Sequence, residues 1–325
     1  GAKIGCSLPR SVENAPVSKG RALRARLERR KALNDATRAF FDGRGFLEVE
    51  TPIIVESPGL EPHLFAFETE LVEPDGTHAQ RFLHTSPEYA MKKLLGEGVG
   101  SIYQLARVFR NGERSAQHVP EFTMLEWYRR PGELAHLMDD VEQLVDALAR
   151  ALGVPNRWTA RRTDMTGAFA RAGLPDPLPI DGPVELARAL DVRAAADDTW
   201  DDVFFRAFLE RVEPTFGADE LVLVHGWPAS MAALAELDPV DPRRALRFEA
   251  YLGGVELANA FQELTDPHEQ RRRFEDEQAL RRASGRPVPP VDEALLAALP
   301  RMGRCAGIAL GLDRLFAKLM GWSSI

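Results

Sequence analysis

Two stretches, I-Y-Q-L-A-R-V-F-R at 102–110 and E-F-T-M-L-E-W-Y-R at 121–129, decide the fold reading. Both are rich in aromatic and β-branched residues, and the polar stretch 111–120 separates them, so they read as two antiparallel strands joined by a long loop. Further strand texture occurs at 46–52, where Pro52 stops it, at 221–225 and from 248 to 264. Helical spacing marks Leu23, Leu27, Leu33, Ala36 and Phe40, and again Leu134, Leu137, Met138, Val141, Leu144, Val145, Leu148 and Leu152. Strands outnumber what a βαβ alternation supplies. The expectation is therefore an α/β (α+β) fold with a mostly antiparallel sheet flanked by helices.

The chain has 325 residues, enough for one large domain with an insertion, which the Pro-rich texture at about 155–220 suggests. Residues 1–20 read as an irregular tail. With 41 Lys plus Arg against 49 Asp plus Glu, the formal charge is -8, so no bulk field draws polyanionic nucleic acid. Cys6 and Cys305 stand far apart with no C-x-x-C, which argues against a disulfide framework or zinc site and for a reducing cytoplasm. No run reaches the roughly 18 apolar residues of a membrane span, and the start lacks a secretory signal. There is no Walker-type phosphate loop, and G-E-G-V-G at 96–100 reads as a turn.

Side chains alternate along 121–129, so Phe122, Glu126 and Tyr128 share a face: an aromatic plate, a carboxylate and a phenol. An aromatic ring stacks on a base, and a carboxylate with a hydroxyl receives an ammonium. For any single such strand, a half-buried strand with a solvated Glu is the favoured reading. Asn259, Phe261 and Glu263 share one parity and can line a pocket. Glu249 and Glu256 are carboxylates of the kind that hold Mg²⁺ beside substrate phosphates. Glu256 has the opposite parity to Asn259, so that role requires a bulge near Leu257 or Ala258. Arg110 ends a strand, and Arg314 follows G-I-A-L-G-L-D at 307–313, where glycines permit close approach to a ligand.

Six segments occur in a familiar order: F-L-E-V-E-T-P at 46–52, T-S-P-E-Y at 85–89, F-R-N at 109–111, H-V-P-E-F-T-M-L-E-W-Y at 118–128, G-V-E-L-A-N-A-F-Q-E-L at 254–264 and G-I-A-L-G-L-D-R-L at 307–315. Together they resemble the three motifs and lysine pocket of class II lysyl-tRNA synthetases, over essentially everything after residue 20. Those synthetases carry an N-terminal anticodon-binding barrel, which the 45 residues before Phe46 are too few to build. With T-S-P-E-Y and with Ala309 in place of a glycine, the chain is similar to the elongation factor P lysine ligases, stand-alone paralogues that attach (R)-β-lysine to a protein lysine.

The resemblance implies ATP and Mg²⁺, with Arg110 on the α-phosphate, Phe122 and Arg314 enclosing the adenine, and Glu249 and Glu256 on the metal. It places Asn111, Gly112, Glu113, Leu257 and Gly311 around ATP, and Ser86, Pro87, Glu88 and Ala309 at the amino and carboxyl end of the substrate. Glu126, Tyr128 and Glu263 would receive the ε-ammonium, with Asn259 and Phe261 shaping the pocket. Gly112 and Val119 depart from the family pattern, which has Glu and Asn there, in the loop over ATP.

The implied reaction activates (R)-β-lysine or lysine as an adenylate and passes it to a lysine of elongation factor P. The resemblance also implies a homodimer through the helix and strand around 27–52, with tRNA an unlikely partner. A minimal enzyme charging tRNA or another carrier, and a silent lysine-binding regulator, stand as alternatives.

Overall fold

The computed structural model describes residues 19–325 apart from 62 and 156. Cys6 and nearly all of the tail 1–20 lie outside the described residues. Helix α1 (Lys19–Asp42) leads to β1 (Leu47–Glu48), and β2 (Ile54–Val55), β3 (Glu68–Val72) and β4 (His78–Leu83) form a small antiparallel sheet. Helix α2 (Glu88–Gly96) precedes the hairpin of β5 (Ile102–Phe109) and β6 (Glu121–Arg129), and α3 (Leu134–Ala151) follows. Next come β7 (Thr159–Asp164), α4 (Met165–Arg171), α5 (Pro183–Leu190) and α6 (Trp200–Ala207), which runs on as a π-helical turn at Phe208–Val212. The rest is β8 (Glu220–His225), β9 (Arg247–Leu252), β10 (Val255–Gln262), α7 (Pro267–Ala283), α8 (Glu293–Met302), β11 (Ala306–Gly311) and α9 (Leu312–Met320).

Eight strands form the main sheet in the order β1-β5-β6-β11-β10-β9-β8-β7. Its six central strands are antiparallel, and only the edges β1 and β7 pair in parallel. The expected antiparallel sheet is present, and 248–264 resolves into two strands. Gly253 and Gly254, both at positive φ (56° and 72°), close that hairpin, a turn that a side chain with a Cβ would strain. The expected strand at 46–52 shrinks to Leu47–Glu48, because one parallel partner on β5 is all it finds before Pro52 removes a donor.

One face of the sheet packs on α1, α3 and α9 through Tyr103, Leu125, Trp127, Phe248, Ala260 and Ile308. Behind β6, Asp140 of α3 accepts from Trp127 Nε1 at 3.2 Å and from both ends of the Arg129 guanidinium at 2.6 and 2.5 Å, which fixes the strand that carries Glu126. Within α1 the stripe divides. Leu33, Phe40 and Phe41 are buried, whereas Leu23 and Leu27 stay more than half exposed, because they lie a turn or more beyond the part that reaches the core.

The opposite face is filled at two ends by different clusters. Tyr89, Leu95, Leu295 and Leu299 of α2 and α8 meet Ile102 and Tyr128 at one end. At the other, Phe169, Phe204 and Phe208 pack with Trp227 on Val222, Val224 and Tyr251. Between them runs a row of cross-strand partners, Gln104, Glu126, Ala309, Asn259 and Glu249, directly opposite one another on five successive strands. Small and polar residues here leave a floor that a ligand can lie on.

Candidate active site

The bulge that Glu256 requires is present. Register shifts between Glu256 and Ala258, so that Glu256 faces Tyr251 while Asn259 faces Glu249, with Leu257 as the extra residue. Opposed residues of an antiparallel pair project to the same side, so Glu249, Glu256 and Asn259 share the site face in spite of their parity. Buried Glu249 accepts from Arg247 Nη2 at 2.5 Å and from the Tyr251 hydroxyl. Burial pushes its carboxyl up to about 7; the Glu256 charge adds to this and the Arg247 guanidinium opposes it. Arg314 Nη1 donates to the Glu256 carbonyl at 2.7 Å and lies 4.0 Å from its carboxylate.

Arg110 lies over the Phe122 ring at 5.4 Å and its Nε reaches the Thr85 carbonyl at 3.5 Å. Asn111 donates its backbone N–H to Phe65 at 2.7 Å, and Gly112 turns the chain at φ 79°. Glu113, Val119, Phe122, Gly311 and Arg314 line one cleft, so of the two departures from the family pattern Val119 faces the place where the nucleotide is expected, and Gly112 precedes Glu113 in the same loop. Glu249 and Glu256 suit a cation that takes one or two protein carboxylates and completes its shell with phosphate and water. One of them is buried and held from behind, and the other stands half exposed at the rim.

Glu126 lies three strand spacings from Glu249, about 14–15 Å, in the same row. Its carboxylate accepts from Tyr128 at 2.6 Å and from the Ser86 hydroxyl at 2.7 Å. The Ser86 oxygen in turn accepts the Glu88 N–H at 3.0 Å, where Pro87 leads into α2. Burial, with the Glu88 charge next, pushes Glu126 up to about 8, so the free site keeps a proton at neutral pH. Glu263 lies one residue past β10, buried, and its N–H continues the ladder to Cys305 at 3.0 Å. Phe261 sits opposite Gly307, and Ala309 lies between Glu126 and Asn259.

Three features escape a reading of the sequence. Lys92 is 1% exposed in its side chain, with Nζ 2.5 Å from Glu263 and 2.6 Å from Glu88. Its only trace in the sequence is the i,i+4 spacing from Glu88. A Cβ at Gly307 would lie 2.2 Å from the Tyr128 ring and 2.3 Å from Glu263 Oε1, so this strand position excludes every side chain. Arg247 anchors Glu249 and also donates to Asn259 Oδ1 at 3.0 Å.

An arginine and aromatic cleft, a carboxylate pair and a buried acidic cluster lie along one antiparallel sheet, the arrangement of a class II synthetase type of site. A comparison with protein families matches residues 17–325 to tRNA synthetases class II (D, K and N), and the chain belongs to that family. Among curated proteins it is 42% identical to the elongation factor P–(R)-β-lysine ligase of Klebsiella pneumoniae subsp. pneumoniae over 305 residues, 92% of each chain. The protein of the same name from Photorhabdus laumondii is 43% identical over 303 residues, 91% of each chain. That of Edwardsiella ictaluri is 43% identical over 297 residues, 90% of each chain. Among the described residues no helix is long and apolar enough to cross a membrane.

Proposed function

We propose that this protein is an ATP-dependent ligase that activates (R)-β-lysine, or lysine, and transfers it to a lysine side chain of elongation factor P. The observation that carries the reading is the cluster of Glu88, Glu126, Tyr128 and Glu263 on the same side of the sheet as Arg110, Phe122 and Arg314. Three clustered carboxylates suit a substrate with more than one ammonium. The names of the relatives supply the acceptor.

In the first step the substrate carboxylate attacks the α-phosphorus of ATP, forming the acyl-phosphate bond as pyrophosphate leaves. Arg110 neutralises charge at the α-phosphate, and Phe122 with Arg314 encloses the adenine. Glu249 and Glu256 would hold Mg²⁺, which when bound neutralises phosphate charge. Asn111, Gly112, Glu113, Leu257 and Gly311 shape the nucleotide end. Ser86 and Glu88 orient the amino and carboxyl end of the substrate beside Pro87 and Ala309, with Asn259 and Phe261 along its stem. In the second step the acceptor amine, uncharged, takes the acyl group and releases AMP, giving an amide.

The same reading takes residues 21–325 as one catalytic unit with an insertion at about 155–220, working in the cytoplasm as a homodimer. Leu23, Leu27, Leu47 and Ile54, all exposed by more than half, are the apolar surface that the dimer would cover.

The test is pyrophosphate exchange with (R)-β-lysine, lysine and norleucine, which lacks the distal ammonium. Exchange with a diamino acid and none with norleucine is expected; norleucine as good a substrate would refute the pocket. A pH profile adds a second check. Glu126 is raised above its ordinary value, so its share of stability in the free protein is full below about 4.5 and is lost as pH rises through about 8. An entering ammonium replaces that proton, so KM for the diamino acid should fall by up to about tenfold per pH unit from 6 to 8. A flat KM across that interval contradicts it.

A further inference from the structure

Among the described residues Lys92 is the one fully buried lysine, and it is held on both sides: Glu88 lies on its own helix and Glu263 just past the end of β10. Glu88 Oε1 and Glu263 Oε2 are buried, and the Lys92 ammonium is their contact. Glu126, Tyr128, Glu236, Arg130 and Cys305 also surround this end, and beyond Glu88 stand Glu61, Tyr89 and Glu277 with Arg110 and Arg281. The two carboxylates outweigh the cost of burial, so Lys92 stays an ammonium throughout the working pH range.

Glu88, Glu126 and Glu263 bring three negative charges when ionised, and Lys92 returns one positive charge. Within this cluster the remainder is two, which two ammonium groups of a diamino acid balance and the single ammonium of an ordinary amino acid does not; burial pushes the neighbouring Glu61 and Glu277 toward their neutral forms. Lys92 also fixes the spacing. Both neighbouring carboxylates lie within 2.6 Å of one nitrogen, so the far oxygens of Glu88 and Glu263 are presented at a set separation. Glu263 Oε1 points at the Gly307 strand beside the Tyr128 ring.

We propose that Lys92 is a positioning residue that determines specificity, a built-in ammonium that matches the pocket to a diamino acid of one length and sets where its two amino groups sit. The inference rests on the proposed activation of a lysine-like substrate. It adds that selection among isomers of that substrate runs through Lys92, a residue that need not touch it.

The experiment measures binding by calorimetry and pyrophosphate exchange for (R)-β-lysine, lysine and ornithine, in the wild-type protein and in Lys92→Met and Lys92→Arg. ATP binding reports that each variant is folded. Lys92→Met should weaken the preferred diamino acid on the order of 100-fold, chiefly in KM, because it strands two buried carboxylates. It should also level the preference among the three ligands and move the KM profile to higher pH, since the stranded carboxylates hold protons more tightly. Lys92→Arg keeps the charge and changes the span, so affinity should return in part while the ranking of ligands alters.

A folded Lys92→Met with unchanged ranking and pH profile overturns the proposal. If that variant fails to fold, a Lys92→Arg with wild-type ranking, KM and profile overturns it as well. A wild-type protein that binds diamino acids without exchange refutes the activation chemistry alone, and the binding arms still decide Lys92. No diamino-acid binding by the wild-type protein refutes both.

Discussion

Gly307→Ala is expected to abolish diamino-acid binding, with KM up at least 100-fold, while ATP affinity changes less than about threefold. The added Cβ would lie 2.2 Å from Tyr128 Cε1, 2.5 Å from Cδ1 and 2.3 Å from Glu263 Oε1, where van der Waals contact begins well above 3 Å. Both neighbours are buried and hydrogen-bonded or ion-paired, so neither yields cheaply. A displaced Tyr128 withdraws its hydrogen bond from Glu126, and a displaced Glu263 breaks its contact with Lys92, so one methyl group disturbs three of the four polar walls. The overpacking should also cost about 1–3 kcal/mol of stability. Calorimetric titrations with each ligand, beside a thermal melt, measure the two effects. Unchanged amino-acid affinity would mean that this pocket is not where the substrate sits.

Glu263→Gln should raise KM for the diamino acid by about 100-fold or more with little change in ATP binding. The amide has nearly the shape of the carboxylate but leaves Lys92 with Glu88 alone, in a site where removal of one partner from a buried ion pair costs roughly 3 kcal/mol or more. The remaining Lys92 charge then repels the incoming ammonium. Ser86, Glu126 and Tyr128 keep their own bonds, so the loss should be confined to the ammonium end. Equal losses for ATP and amino acid would contradict the division of the site. Paired saturation curves in the two substrates separate the outcomes.

The architecture was legible because its central hairpin obeys a short-range rule. Alternation along 121–129 places Phe122, Glu126 and Tyr128 on one face, and the structure shows them there. Glu256 was legible as a conflict: two-residue parity set it against Asn259, and the bulge at Leu257 resolves that conflict. By contrast, Lys92 in a Lys92-Lys93 pair reads as part of a solvated helix face. Its burial depends on Glu263, 171 residues further along the chain, and no local pattern reports such a partner. Gly307 has an ordinary extended neighbourhood in the sequence, and only the neighbouring strands show that its missing Cβ is space for Tyr128 and Glu263. The exposed Leu23 and Leu27 follow the helical period of α1 but reach past its core contact, a length that periodicity does not supply.

Intact-mass spectrometry reads the destination of the acyl group. The full chain is incubated with ATP, Mg²⁺ and (R)-β-lysine in the presence of both unmodified elongation factor P and tRNA. Elongation factor P is expected to gain the mass of one lysine residue on a single lysine side chain, only with ATP, while the tRNA stays uncharged. Acylated tRNA beside unmodified elongation factor P would contradict it.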